Sequence, residues 1–142
     1  MPNSVVKILG PAVAGLLAIG FSPEVARAAA TGAGVTWRAD LSVTGQQANY
    51  PSTRARISHD GRYVVYQTVA TNLVSNDRNG TTDVYWADLA DPSHPVTRRV
   101  SIGWDGSDAN GMSTFTELSG DGRWVVFQSA ATNLGKGSTA SG

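Results

Sequence analysis

From Val35 onward the apolar residues fall in short runs separated by Gly, Ser, Thr, Asn and Asp, with no helical three-and-four spacing. The pattern predicts strands at 35–43 (VTWRADLSV), 54–58 (RARIS), 62–69 (RYVVYQTV), 83–89 (DVYWADL), 96–102 (VTRRVSI), 115–119 (FTELS) and 123–130 (RWVVFQSA). Tyr63-Val64-Val65-Tyr66 is apolar at every position, as suits a strand buried on both faces. His59-Asp60-Gly61 reads as a tight turn, with glycine supplying a positive φ.

The pattern repeats. Shifted by 61 positions, Val35–Val74 overlays Val96–Gly135 without a gap, and 19 of the 40 pairs are identical. The matches include Arg38/Arg99, Gly45/Gly106, Asn49/Asn110 and all of Asp60-Gly61-Arg62 against Asp121-Gly122-Arg123. Register held this long marks an internal repeat. Each period carries four strands, and tandem four-stranded antiparallel units predict β-propeller blades. The expected fold class is therefore all-β, with about one and a half blades following an N-terminal signal helix. Residues 35–43 supply the fourth strand of a preceding blade.

Residues 1–30 stand outside that pattern. Lys7 and the N-terminal amine precede an apolar run, Ile8–Phe21, and Ala26-Arg27-Ala28 and Ala30 offer small-residue cleavage positions. This reads as a secretory signal peptide, too short for a membrane span of roughly 20 apolar residues. The mature chain becomes 31–142, a partial propeller domain with repeats 35–95 and 96–142, secreted or periplasmic, with no stable membrane span once the signal is removed. It holds no cysteine, which excludes disulfides and thiolate metal sites. Basic and acidic residues balance at 11 each, which argues against a nucleic-acid partner.

The combined motif S-x-D-G-R-Y-V-V-Y-Q-T-x-A-T-N-L-V-x-x-D-x-N-G-x-x-D-V-Y-W, read from Ser58 to Trp86, resembles the TolB-like, WD-repeat-like propeller repeats of secreted bacterial proteins. The resemblance covers 35–135. It implies a propeller fold and protein binding in the periplasm or outside the cell. Propellers close with roughly four to eight blades. After Leu134 the acidic loop and two further strands of the first repeat give way to GKGSTASG. The chain thus reads as a C-terminally truncated member, or as one that assembles from several copies as a homo-oligomer.

The sharpest candidate for chemistry is Asn76–Trp86, NDRNGTTDVYW. Asp77, Asn79 and Asp83 place hard oxygen donors at alternating positions around Gly80, and a backbone carbonyl near Thr81 completes a set suited to Ca²⁺. The same loop also reads as an Asx turn, with Asp77 and Asn79 bonding their own backbone. Asp105, Asp108 and Asn110 suggest metal more weakly, because the equivalent VTGQQANY (43–50) has no carboxylate. Asp60 and Asp121 read as turn carboxylates, and His59 and His94 as surface loop residues. Tyr63/Trp124 and Tyr66/Phe127, paired by the repeat, read as blade packing, and Tyr85 and Trp86 add to the aromatic content. Trp37 and Trp104 read as core or edge packing, with sugar stacking as the alternative.

No convergent nucleophile, base or phosphate loop is present in the sequence, so the expected function is a secreted, non-enzymatic interaction scaffold, calcium-stabilised, with a protein partner or a glycan. The alternatives are an oligomeric carbohydrate-binding propeller, the remnant of a propeller enzyme, or a truncated product without independent function.

Overall fold

The computed structural model describes residues 36–136; the signal-peptide reading of 1–30 lies outside them. The described residues form two antiparallel sheets and no helix. The first sheet is a meander of β1 (Ser52–Ile57), β2 (Tyr63–Thr68), β3 (Asp83–Asp88) and β4 (Val96–Arg99), hydrogen-bonded in that order. The second pairs β5 (Ser113–Leu118) with β6 (Val125–Ser129). All six sit where the apolar runs predict strands. The stretch 35–43 differs: residues 36–40 join no ladder, and only Leu41 bridges, to Gln47. Its repeat equivalent, β4, is held by β3, and residues 36–40 have no comparable neighbour among the described residues.

The repeat is structural as well as textual. The β1–β2 and β5–β6 registers both shift at the same place, between Thr53 and Arg56 and between Thr114 and Glu117. Each bulge holds one non-glycine residue in left-handed backbone, Arg54 (φ 51°) and Phe115 (φ 55°), 61 positions apart. The bridge Leu41–Gln47 recurs as Ile102–Asp108. Asn49 and Asn72 clip two loops together: Asn49 N–H donates to Asn72 Oδ1 at 2.9 Å, and Asn72 Nδ2 donates to the Gln47 carbonyl at 2.8 Å. Asn110 and Asn133 repeat both bonds at 3.1 and 2.8 Å.

The Asp-Gly-Arg turns follow the same rule. Asp60 accepts from the Ser58 hydroxyl and the Arg62 N–H, and Asp121 accepts from Ser119 and Arg123 in the same way. These bonds, the serine hydroxyl first, hold both carboxyls below the ordinary carboxylate range. Gly61 and Gly122 take φ of 73° and 71°, the left-handed backbone such turns require. Arg62 reaches across the sheet to Asp88 with two bonds of 2.8 Å.

Strand alternation sorts the core into two layers. Val65 on β2 with Val84 and Trp86 on β3 faces the second unit and meets Val100, Val125, Phe127 and Leu134. Val64 and Tyr66 with Tyr85 and Ala87 line the opposite face, with Ala39, Ala48 and Leu73. β2 and β3 are thus buried on both sides, as the unbroken apolar run of β2 requires. Tyr63 stacks on Trp86 at 5.2 Å and Tyr66 on Tyr85 at 5.9 Å, both pairs within the first unit. Of their repeat equivalents, Phe127 is buried between the units and Trp124 is exposed.

Candidate functional site

The loop from β2 to β3 closes over the end of β4 and brings ionisable side chains together at the seam between the two units. Asp77 lies in the loop and Asp83 opens β3. Arg99 ends β4, and Asp108 belongs to the turn beyond it. The Arg99 guanidinium is the centre. Its Nη1 lies 3.1 Å from Asp77 Oδ1 and 3.4 Å from Asp83 Oδ2, and its Nη2 is 2.6 Å from Asp108 Oδ1. Nη2 also donates to the Asn76 carbonyl at 3.1 Å. The side chains of Arg99 and Asp77 are 2% exposed, and that of Asp83 is fully buried.

Neighbouring groups add hydrogen bonds to the carboxylates, although buried Asp77 Oδ1 and Arg99 Nε have no hydrogen-bond partner among the described residues. Tyr85 O–H donates to Asp77 Oδ2. Ser101 Oγ donates to Asp83 Oδ1 and in turn accepts from Val84 N–H at 2.9 Å. Asn79 Nδ2 donates to Asp83 Oδ2 at 2.9 Å and to the Ala109 carbonyl at 3.1 Å. Burial raises the Asp83 carboxyl pKa, against the Ser101 and Asn79 hydrogen bonds and the Arg99 charge, which pull it down. Burial alone would lower that of Arg99. The Asp108 hydrogen bond and the charges of Asp83 and Asp77 outweigh it and raise the guanidinium pKa instead. Tyr85 is raised by burial and by its bond to Asp77.

The residues read as calcium ligands are therefore gathered, but around a guanidinium. Asp77 and Asp83 face Arg99. Asn79 turns its amide nitrogen to Asp83 and accepts the Thr81 N–H on its oxygen, an Asx turn at 3.2 Å. A calcium ion at this loop would have to displace Arg99. Among the described residues no group of three or more His, Cys, Asp or Glu is arranged to hold a metal. What the arrangement does chemically is tie the β2–β3 loop, β3, β4 and the 102–108 turn into one polar knot. Asp77 and Asp83 are closed to solvent, while the Asp108 side chain stays 27% exposed at its edge.

Sequence reasoning missed Arg99, Ser101 and Tyr85 as members and read Asp108 as a weaker metal candidate, or a turn residue, beside Asp105 and Asn110. One signal was available: Arg99 is matched by Arg38. In the first repeat Arg38 pairs with Asp40 at 2.5 Å and Gln47 at 3.1 Å, at an exposed position. Asp108 replaces Gln47 and bonds the equivalent arginine. The other candidates disperse. Asp105 caps Ser107, and Asn110 belongs to the loop clip. His94 meets Asp91 in an exposed loop, and the His59 N–H donates to the Gly120 carbonyl. Trp37 and Trp104 lie outside the core, both more than half exposed, and the Lys136 ammonium stands 5.6 Å from the Trp104 ring.

Among the described residues no helix is long and apolar enough to cross a membrane. Comparison with known proteins finds no matching family model, no matching curated protein and no matching solved structure.

Proposed function

We propose that the chain is a segment of a secreted, TolB-like β-propeller and works as a non-enzymatic scaffold for a protein partner. The observation that carries this reading is the stacking of two units through equivalent residues. Such a stack makes a rigid platform whose turns are offered to solvent at regular intervals. Val43 and Trp104, equivalent tips of the 42–46 and 103–107 turns, are both exposed and give a partner an apolar and an aromatic contact on adjacent units. The knot at Arg99 supports a structural role, because Asp77 and Asp83 are buried against the guanidinium.

The test is capture of extracellular proteins by the immobilised chain, with a glycan array run in parallel and Val43→Ser/Trp104→Ser as the control. The scaffold reading expects a discrete protein held by the wild type and released by the double variant. Glycan binding abolished by Trp37→Ser or Trp104→Ser, with no protein captured, would replace it with carbohydrate recognition. Export is tested separately by the N-terminus of the secreted product, expected after Ala28 or Ala30.

A further inference from the structure

Three of the contacts that cross between the two units link equivalent positions. Arg56 pairs with Glu117, Nε to Oε2 at 3.2 Å, and the Arg54 guanidinium lies 4.5 Å from the Phe115 ring centre. The His59 N–H donates to the Gly120 carbonyl at 2.8 Å. In all three cases residue n of the first unit meets residue n+61 of the second. A contact built this way has a head and a tail, and it can be repeated.

Both unused halves of that contact are present on the surface. Val65, on the face that receives the second unit, is 0% exposed, and its equivalent Val126 is 44% exposed. Gln67 is buried against the second unit, where its amide oxygen accepts from the Phe115 and Thr116 N–H groups at 2.8 and 3.2 Å. Its equivalent Gln128 is exposed. At the other end, Leu118 packs into the core between the units while its equivalent Ile57 is 60% exposed.

Beside Ile57, an open groove of about 470 Å³ is lined by Ala39, Asp40, Ser52, Ala55, Val64 and Tyr66, among others. Their equivalents Val100, Ser101, Ser113, Thr116, Val125 and Phe127 are all buried where the second unit grips the first. The groove is the same seat, with Ala55 exposed and Ala39, Asp40 and Ser52 partly so above buried Val64 and Tyr66.

We propose that a second copy of this chain fills it head to tail. Val126 and Gln128 of one copy enter the groove of the next, as Val65 and Gln67 meet the second unit within the chain. The charges fit: Glu117 at the tail meets Arg56 at the head of the next copy, and Phe115 meets Arg54. Both pairs are those already formed inside the chain, in reversed order along it. The inference needs only the repeat equivalence and no foreign partner, so its failure would leave the scaffold reading standing.

The test is light scattering on the full 142-residue chain. The wild type should exceed the monomer mass and fall toward it on dilution. Val126→Lys and Ile57→Lys should each be monomeric, because one removes the tail and the other the head. Mixed in equal amounts they should form a two-chain species, since each supplies the face the other lacks. The double variant should stay monomeric in any mixture. Both sites are exposed, and Val126→Ser with Ile57→Ser serves if a lysine disturbs the circular dichroism. A monomeric wild type at every concentration would overturn the proposal. So would a multimer that survives Ile57→Lys but not Val126→Lys, which is tail-to-tail pairing, or an aggregate indifferent to both changes.

Discussion

Replacing Arg99 with methionine should be among the most damaging single changes available to this fold. The guanidinium faces three carboxylates, two of them closed to water, and methionine supplies neither charge nor donor. Removing one partner of a buried ion pair leaves an uncompensated charge and costs about 3–5 kcal/mol. Two features pull the loss toward the lower figure. Asp77 and Asp83 keep bonds from Tyr85, Ser101 and Asn79, and Asp83 can take a proton, its pKa being already raised. A loss of about 3 kcal/mol lowers Tm by roughly 12–24 °C in a domain of this size. Arg99→Lys keeps the charge but cannot span the separate carboxylates and should fall between. The control is Arg38→Met at the equivalent position, where the guanidinium pairs with Asp40 in solvent and its loss should matter little. Thermal melts followed by near-ultraviolet dichroism compare the three variants. Equal, small losses for Arg99→Met and Arg38→Met would refute the buried-knot reasoning.

The glycine turns separate the two copies. Gly61→Ala meets only the left-handed backbone penalty, about 1–2 kcal/mol, whereas a methyl at Gly122 would also lie 2.0 Å from the Tyr63 ring. Overpacking adds about 1–3 kcal/mol, so urea midpoints should place Gly122→Ala well below Gly61→Ala; matching midpoints would count against this contact between units. The pH dependence of Asp83 runs opposite to the usual aspartate. Its folded pKa lies above the unfolded one, so its contribution to stability grows as pH falls through the folded value and is smallest above it. The Tm gap between wild type and Asp83→Asn should therefore widen from neutral pH toward the ordinary carboxylate range, and a narrowing gap would show the sign to be wrong. Asp60 behaves conventionally: its lowered pKa gives stability above the unfolded value that is lost as pH falls through the folded one. With Arg99 in place, Tm should be the same in excess Ca²⁺ and in chelator; a rise in Ca²⁺ that Asp83→Ala abolishes would restore the calcium reading of the 77–83 loop.

Strand positions were legible because alternation and turn chemistry are local. β2 shows its two-sided burial in four consecutive apolar residues, and both Asp-Gly-Arg turns show theirs in the glycine. The repeat extended that legibility to tertiary structure, since Asn49/Asn72 and Asn110/Asn133 recur only because the same loops must be clipped twice. The strand expected at 35–43 failed for a non-local reason: a strand exists only where a neighbour pairs with it. The Arg99 knot was hidden likewise. Asp77, Asp83, Arg99 and Asp108 are separated in sequence, and only the return of β4 beside β3 brings a guanidinium to oxygens whose spacing suits a cation. The residue types suggested oxygens gathered for a cation; that the Arg99 guanidinium lies among them depended on topology.

The measurement that bears most directly on the stacking of units is methyl-resolved nuclear Overhauser contact across the seam. Face-to-face packing predicts contacts from the Val65 and Val84 methyls to the Phe127 ring and the Leu134 methyls, with Val126 showing none of these. A Phe127 ring in contact only with its own repeat, or a Val65 as solvent-exposed as Val126, would contradict the stacked arrangement and the reading of function built on it.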